Sequence, residues 1–278
     1  MTTKFPANPF RSAFENHARP LVGIWSVLNS SNVVEGLSYS GFDWILIDNE
    51  HSPTDLGDTL DHLRALSASD IVPVVRLPWN DPVLIKKYLD IGAQTIMLPF
   101  VQTPQEAKAA VAAAMYPPDG KRGYALMHRA SRYGRHSNYA EAAKDNVFII
   151  VQLETPAALE HTEEIAKIDG IDAIFFGPGD LSATMGHRGN PAHAEVLNLI
   201  CEKSKIVKAL GKRTGVLAPG ASAAEFFIEA GIDFVAAVTD GGLMFSASDS
   251  AARHFVSFAE GVVSKGAAKV ATPANNTQ

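Results

Sequence analysis

The chain has 278 residues, a net charge of −6 and a single cysteine. That length holds one large domain or two small ones with a substantial core, and the mild excess of acid argues against a nucleic-acid surface. Lone Cys201 excludes an internal disulfide and a thiolate metal cluster. No apolar run reaches membrane-spanning length, and Thr2-Thr-Lys4 with early prolines stands where a signal peptide would carry its apolar stretch. A cytoplasmic enzyme that works neither on nucleic acid nor at a membrane is the expectation.

Residues 1–19 read as an arm, lid or short helix. Leu21-Val-Gly-Ile-Trp-Ser-Val27 is a first strand, and the helix from Asn32 to Tyr39 is closed by Ser40-Gly41. The next run, Trp44-Ile-Leu-Ile-Asp-Asn-Glu-His51, is apolar and then ends abruptly in carboxylates and an imidazole. Bounded by Gly41 and Ser52-Pro53, it suits a strand buried on both faces, as in a parallel sheet. Thr54 can cap a helix in which Leu56, Leu60, Leu63 and Leu66 share one face.

Val72-Pro-Val-Val-Arg-Leu-Pro78 is the third strand. Asn80 or Asp81 caps a helix with Pro82 in its first turn and Gly92 at its end. Thr95 to Phe100 is the fourth strand, and Thr103-Pro-Gln-Glu106 opens an Ala-rich helix to Met115. A long interruption from Tyr116 to Asn146 carries Arg122, Arg129, Arg132 and Arg135; a loop of that length points to function or an interface, with an anionic acceptor or subunit salt bridges as partners for its arginines.

Phe148-Ile-Ile-Val-Gln-Leu153 is the fifth strand and runs into Glu154. Ala173-Ile-Phe-Phe176 is the sixth and runs into Gly177-Pro-Gly-Asp-Leu-Ser182. A helix over Ala194 to Leu210, a strand over Thr214 to Leu217, a helix over Ala223 to Ala230 and a strand over Phe234 to Val238 follow. A final helix spans Ala251 to Val263, and residues 265–278 read as a tail that is flexible or packs on a neighbouring subunit. Apolar strands alternating with helices at this count and length predict an α/β fold, a (β/α)8 TIM barrel over residues 20–264, with an open doubly wound sheet as the alternative.

In such a barrel the polar groups at the carboxyl ends of the strands share one mouth. Asp48, Glu50 and His51, then Arg76, Gln152, Glu154 and Asp180 all fall there. Glu154 and Asp180 on adjacent strands suit a hard divalent ion; alternatively each caps the helix that follows it. Gly177-Pro-Gly179 opens a helix with backbone N–H groups suited to a small carboxylate, or is a plain tight turn. Arg76 can fork onto a substrate oxygen or neutralise its acidic neighbours. No lysine lies at the end of an assigned strand, Lys121 being in the long loop and Lys212 ahead of the seventh strand, which argues against Schiff-base chemistry.

The motifs Phe42-Asp-Trp-Ile-Leu-Ile-Asp-Asn-Glu-His51, Pro73-Val-Val-Arg76, Trp79-Asn-Asp-Pro82, Tyr116-Pro-Pro118, Arg122-Gly123, Ala130-Ser-Arg132, Val151-Gln-Leu-Glu-Thr155 and Gly177-Pro-Gly-Asp-Leu-Ser182 resemble the HpcH/HpaI aldolase family of metal-dependent class II pyruvate aldolases. The resemblance implies a homo-oligomer, a hexamer, that cleaves a 2-keto-4-hydroxy acid to pyruvate and an aldehyde. It implies that Glu154 and Asp180 ligate Mg2+ or Mn2+, with Co2+ as a further candidate and no organic cofactor. Gln152, the backbone of Gly179 and Asp180, and Leu217 would hold the keto acid. His51, paired with Asp48, would act as base, and Arg76 would stabilise the enolate. Asp90 matches the residue that makes the histidine more basic; lying at the wrong end of its own barrel, it would reach the site of a neighbouring subunit. Oxaloacetate decarboxylation, as in a macrophomate synthase-like enzyme, is the alternative within the family. Asn49 and the segment Gly123–Arg129 depart from the family pattern near where the aldehyde would sit.

Overall fold

The computed structural model describes the backbone of residues 3–270. A short helix α1 (Pro9–Asn16) leads into β1 (Leu21–Ser26), α2 (Ser31–Leu37), β2 (Trp44–Asp48), α3 (Leu56–Ala65), β3 (Val72–Arg76), α4 (Pro82–Asp90), β4 (Thr95–Leu98) and α5 (Pro104–Ala114). Then come α6 (Tyr139–Asn146), β5 (Phe148–Leu153), α7 (Pro156–Glu160), α8 (Thr162–Ala166), β6 (Ala173–Phe176), α9 (Pro178–Thr184), α10 (Ala194–Ala209), β7 (Arg213–Leu217), α11 (Ala221–Glu229) and β8 (Phe234–Thr239). The strands pair in parallel and in chain order, and β8 closes on β1, so the expected eight-stranded barrel is present.

The sequence explains where helices start. Asp81, Thr103 and Thr155 accept backbone N–H groups at the heads of α4, α5 and α7, each just before a proline whose missing N–H costs nothing there. The head of α3 differs from the expectation. Asp55, one residue after Thr54, is the cap, because its carboxylate and that of Asp58 form a reciprocal box, while Thr54 is held by the Ser52 hydroxyl. The long loop also differs, since its last eight residues fold as α6.

Along the strands the side chains alternate between two cores. Ile45, Ile47, Val75, Ile149, Val151, Ile174 and Phe176 face the helices. Trp44, Leu46, Val72, Val74, Met97, Phe148, Ile150, Phe175 and Phe234 fill the barrel itself. Gly23 belongs to that inner set because a Cβ there would lie 2.2 Å from the Trp44 ring. Asp48, Arg76 and Gln152 are the next inward positions after Leu46, Val74 and Ile150, so the same period that fills the barrel with hydrocarbon delivers polar groups to its carboxyl end.

The opposite end is plugged. Phe10 of α1 is 0% exposed and meets Trp44, Phe148 and Phe234 edge-on at centroid distances of 5.9, 5.4 and 5.2 Å. Asn8 caps α1 and its amide donates to the carbonyls of Gln94 and Asn146, just ahead of β4 and β5.

From Asp240 the chain forms a second unit, containing helix α12 (Asp240–Val270). It starts well before the helix expected from Ala251, because the Asp240 carboxylate takes the Gly241 N–H and the Gly-Gly pair falls in the first turn, where glycine costs little. Of the expected tail, residues 265–270 are helical and residues 271–278 lie outside the described residues. Among the described residues no helix is long and apolar enough to cross a membrane.

Candidate active site

Asp48 and Arg76 are register partners on β2 and β3 and are locked together at the mouth. Arg76 donates from Nε to Asp48 Oδ1 at 2.9 Å and from Nη2 to Oδ2 at 2.6 Å. Trp25 Nε1 donates to the same Oδ2 at 3.1 Å, and the Arg76 guanidinium lies 4.7 Å from the Trp25 ring centre. Glu50 Oε2 is 2.6 Å from Arg76 Nη1, an ion pair out of hydrogen-bonding alignment. Burial works to raise the Asp48 pKa, but the Arg76 hydrogen bonds and charge, helped by Trp25 and the Glu50 N–H, hold it below the ordinary carboxylate range. Arg76 is thus paired with both acidic neighbours and fixed at the mouth.

Asn49 points the other way and braces this pair. Its Oδ1 accepts from Thr59 Oγ1 at 2.7 Å and from the Tyr88 hydroxyl at 2.9 Å, while Nδ2 donates to the Arg76 carbonyl at 3.0 Å.

Glu154, one residue past β5, is 2% exposed. Its Oε1 accepts from the Phe100 N–H at 2.9 Å, and its Oε2 accepts from Gln152 Nε2 at 2.8 Å. Phe100 adopts a left-handed φ of 51°. Gly177 makes room for this carboxylate, since a Cβ there would lie 2.5 Å from Glu154 Oε2. Burial pushes Glu154 up to about 8, and the charges of Asp180 and Glu50 push the same way. Glu50 is also raised, first by burial and then by Asp48 and Asp180, against Arg76 and His51. Three carboxylates, Glu154 buried, Glu50 half-buried and Asp180 exposed, thus gather at one place, with Arg76 and His51 opposing their charge. Among the described residues, Gln152 Oε1 is buried with no hydrogen-bond partner. An oxygen-rich, over-acidic pocket with an unsatisfied amide oxygen fits a hard divalent cation.

Asp180 is exposed in the first turn of α9, whose leading N–H groups have no side-chain cap. The space over Gly179 is open, with nothing within 4 Å of where a Cβ would be. Leu217, at the end of β7, packs on the barrel's inner core.

One expectation needs correction. The His51 ring does not pair with Asp48, whose oxygens are taken by Arg76, Trp25 and the backbone; the imidazole is 68% exposed, with Nε2 4.0 Å from Glu50 Oε1. The arginines of the long loop lie away from this chain's own mouth. Arg129 donates to the carbonyls of Ile91 and Leu63, and Arg129, Arg132, Arg135 and His136 line a cavity of about 420 Å³ beside Gln94 and Val147, at the amino end of the barrel.

Asp90 is the last residue of α4 and, as expected, lies at that same end. It pairs with Arg122 at 2.6 Å and has His128 Nε2 at 3.6 Å. Burial lowers His128, with Asp90 opposing and Arg122 adding to the effect. Trp25, against Asp48 and Arg76, and the Phe100 N–H, on Glu154, are groups of the candidate site that the sequence reading missed. Trp25 had a signal: with Leu21 and Gly23 it occupies every second position of β1, and it ends that inward row.

A closed eight-stranded α/β barrel with carboxylates, a guanidinium and an amide gathered at the carboxyl ends of its strands is an enzyme barrel with an anionic, oxygen-lined mouth. The profile of the HpcH/HpaI aldolase/citrate lyase family matches residues 21–247. The chain is 42% identical over 252 residues to a pyruvate aldolase of Rhizobium etli, covering 91% of this chain and 99% of that one. It is 44% identical over 243 residues to a hydroxypyruvate/pyruvate aldolase of Sagittula stellata, covering 87% and 96%. A solved HpcH/HpaI aldolase/citrate lyase family protein from Burkholderia cenocepacia J2315 superposes with a TM-score of 0.84 at 35% identity, over 90% of this chain and 99% of that one. The chain belongs to the HpcH/HpaI aldolase/citrate lyase family. The resemblance drawn from its motifs is borne out, and so is the pyruvate-aldolase expectation that came with it.

Proposed function

We propose that the chain is a cytoplasmic, metal-dependent aldolase that reversibly cleaves a 2-keto-4-hydroxy acid to pyruvate, or a close analogue, and an aldehyde. The observation that carries this reading is Glu154, a buried carboxylate crowded by Asp180 and Glu50 at the mouth of the barrel. Glu154 and Asp180 would hold Mg2+ or Mn2+, which when bound supplies Lewis acidity to a keto oxygen.

The chain's own residues do the rest. Arg76, fixed by Asp48 and Trp25, is a preoriented donor for an oxygen that gains negative charge at C2. Gln152 holds Glu154 in place through Nε2, and the uncapped N–H groups of Gly179 and Asp180 suit the substrate carboxylate. His51, exposed at the mouth, takes the proton of the C4 hydroxyl as the C3–C4 bond breaks and the aldehyde forms. It then returns a proton to C3 of the departing keto acid; addition runs through the same steps in reverse.

The same reading places the chain in a homo-oligomer, with Asp90 acting at a neighbouring copy's His51. Exposed Phe245, Phe255, Phe258 and Val263 on α12 support burial of that helix on a second copy of this chain.

Proton exchange at pyruvate C3 in deuterated buffer, followed by NMR, tests the reading. Exchange that needs Mg2+ or Mn2+, stops with chelator and vanishes in His51→Ala supports it. No exchange with either metal overturns it.

A further inference from the structure

We infer that His187, His193 and Glu195 form a second metal site, one that takes Zn2+ or a similar nitrogen-seeking divalent ion. The three residues belong to the loop from Met185 to His193 and the first turn of α10. Gly186 and Gly189, at φ of 88° and 81°, let that loop double back. The His187 N–H donates to the Ser182 carbonyl at 2.7 Å, and the Asn190 N–H to the His187 carbonyl at 2.9 Å. The fold-back brings the two imidazoles face to face, with ring centres 3.6 Å apart and planes within 14°. His187 Nε2 is 2.8 Å from Glu195 Oε2, and one ligand atom from each of the three residues lies within 4.8 Å of the others.

Metal–ligand bonds near 2.0–2.2 Å place the ligand atoms of a tetrahedral ion roughly 3.3 Å apart. The Glu195 side chain, mostly exposed, is free to swing in by the remaining distance. The His193 ring is engaged only weakly: its Nδ1 accepts from the Glu195 N–H at 3.3 Å. Two histidines and a carboxylate leave a fourth position for water.

The donor set separates this site from the mouth of the barrel. Glu154 and Asp180 offer oxygen alone, which suits Mg2+ and Mn2+, whereas two imidazoles favour Zn2+, Co2+ and Ni2+. An ion here would clip the end of α9, the helix that carries Asp180, to the head of α10.

Zn2+ titrated into the metal-stripped full-length protein, against a chromophoric chelator, tests the site. The wild type should take two equivalents. A Glu154→Gln/Asp180→Asn variant should keep the one that excess Mg2+ does not displace, and a His187→Gln/His193→Gln variant should lose that one while melting normally. Glu195→Gln, at an exposed position, should weaken it by about 10-fold or more with no change in fold. Binding that survives the double histidine substitution, or the absence of any Zn2+ from the Glu154→Gln/Asp180→Asn variant, overturns the inference.

Discussion

Glu154 makes the stability of the metal-free protein depend on pH in an unusual direction. In the unfolded chain this carboxyl ionises at the ordinary 4.5, whereas in the fold burial and the neighbouring charges delay ionisation until about 8. The unfolded state therefore releases its proton first as pH rises. Stability contributed by this residue is lost progressively between 4.5 and about 8 and is constant above. At 1.36 kcal/mol for each tenfold change in proton affinity, the penalty is about 2 kcal/mol at pH 6 and about 4 kcal/mol at pH 8. Glu154→Gln keeps the shape and cannot ionise. Urea denaturation of chelator-treated protein at both pH values should show the wild type losing about 2 kcal/mol more than the variant over that interval. Added Mg2+ should reverse the loss in the wild type alone, because it binds the ionised form. Equal pH responses in the two proteins would refute the argument that this carboxyl is held protonated by its surroundings.

Arg76→Lys removes the fork on Asp48 and should cost about 3 kcal/mol of stability, together with a fall of about 100-fold or more in metal-dependent pyruvate exchange. Gly177→Ala puts a methyl 2.5 Å from Glu154 Oε2. It should destabilise by about 1–3 kcal/mol and weaken Mn2+ binding measured by calorimetry. Trp25→Phe keeps a buried ring but strips Asp48 of one donor; denaturation should show a loss of about 1 kcal/mol, with exchange reduced but not abolished.

The barrel was legible because each strand is a short apolar run between turn residues, and each cap that precedes a proline announces a helix. The direction of each side chain was less so. With β2 buried on both faces, nothing in Trp44–Asp48 alone says which parity looks inward; closure of the ring decides it. The pairing of Asp48 with His51 rests on the family resemblance alone, whereas Asp48's register partner on the adjacent strand, Arg76, takes it. Helix α6 was hidden because Tyr139–Asn146 is short and polar, with only Tyr139 and Ala143 buried, so no apolar stripe marked it. Glu154 at the end of β5 needed no such help, since charge directly after a buried strand is itself the signal.

The plug made by α1 gives the barrel a single opening. With Phe10 and Asn8 sealing the amino end and packed hydrocarbon filling the barrel behind Asp48, Arg76 and Gln152, the polar mouth is approached from the carboxyl side alone. Traffic through one door has an order set by depth. On the proposed reading, a keto acid seated against Glu154 and Gln152 would go in before the aldehyde and come out after it.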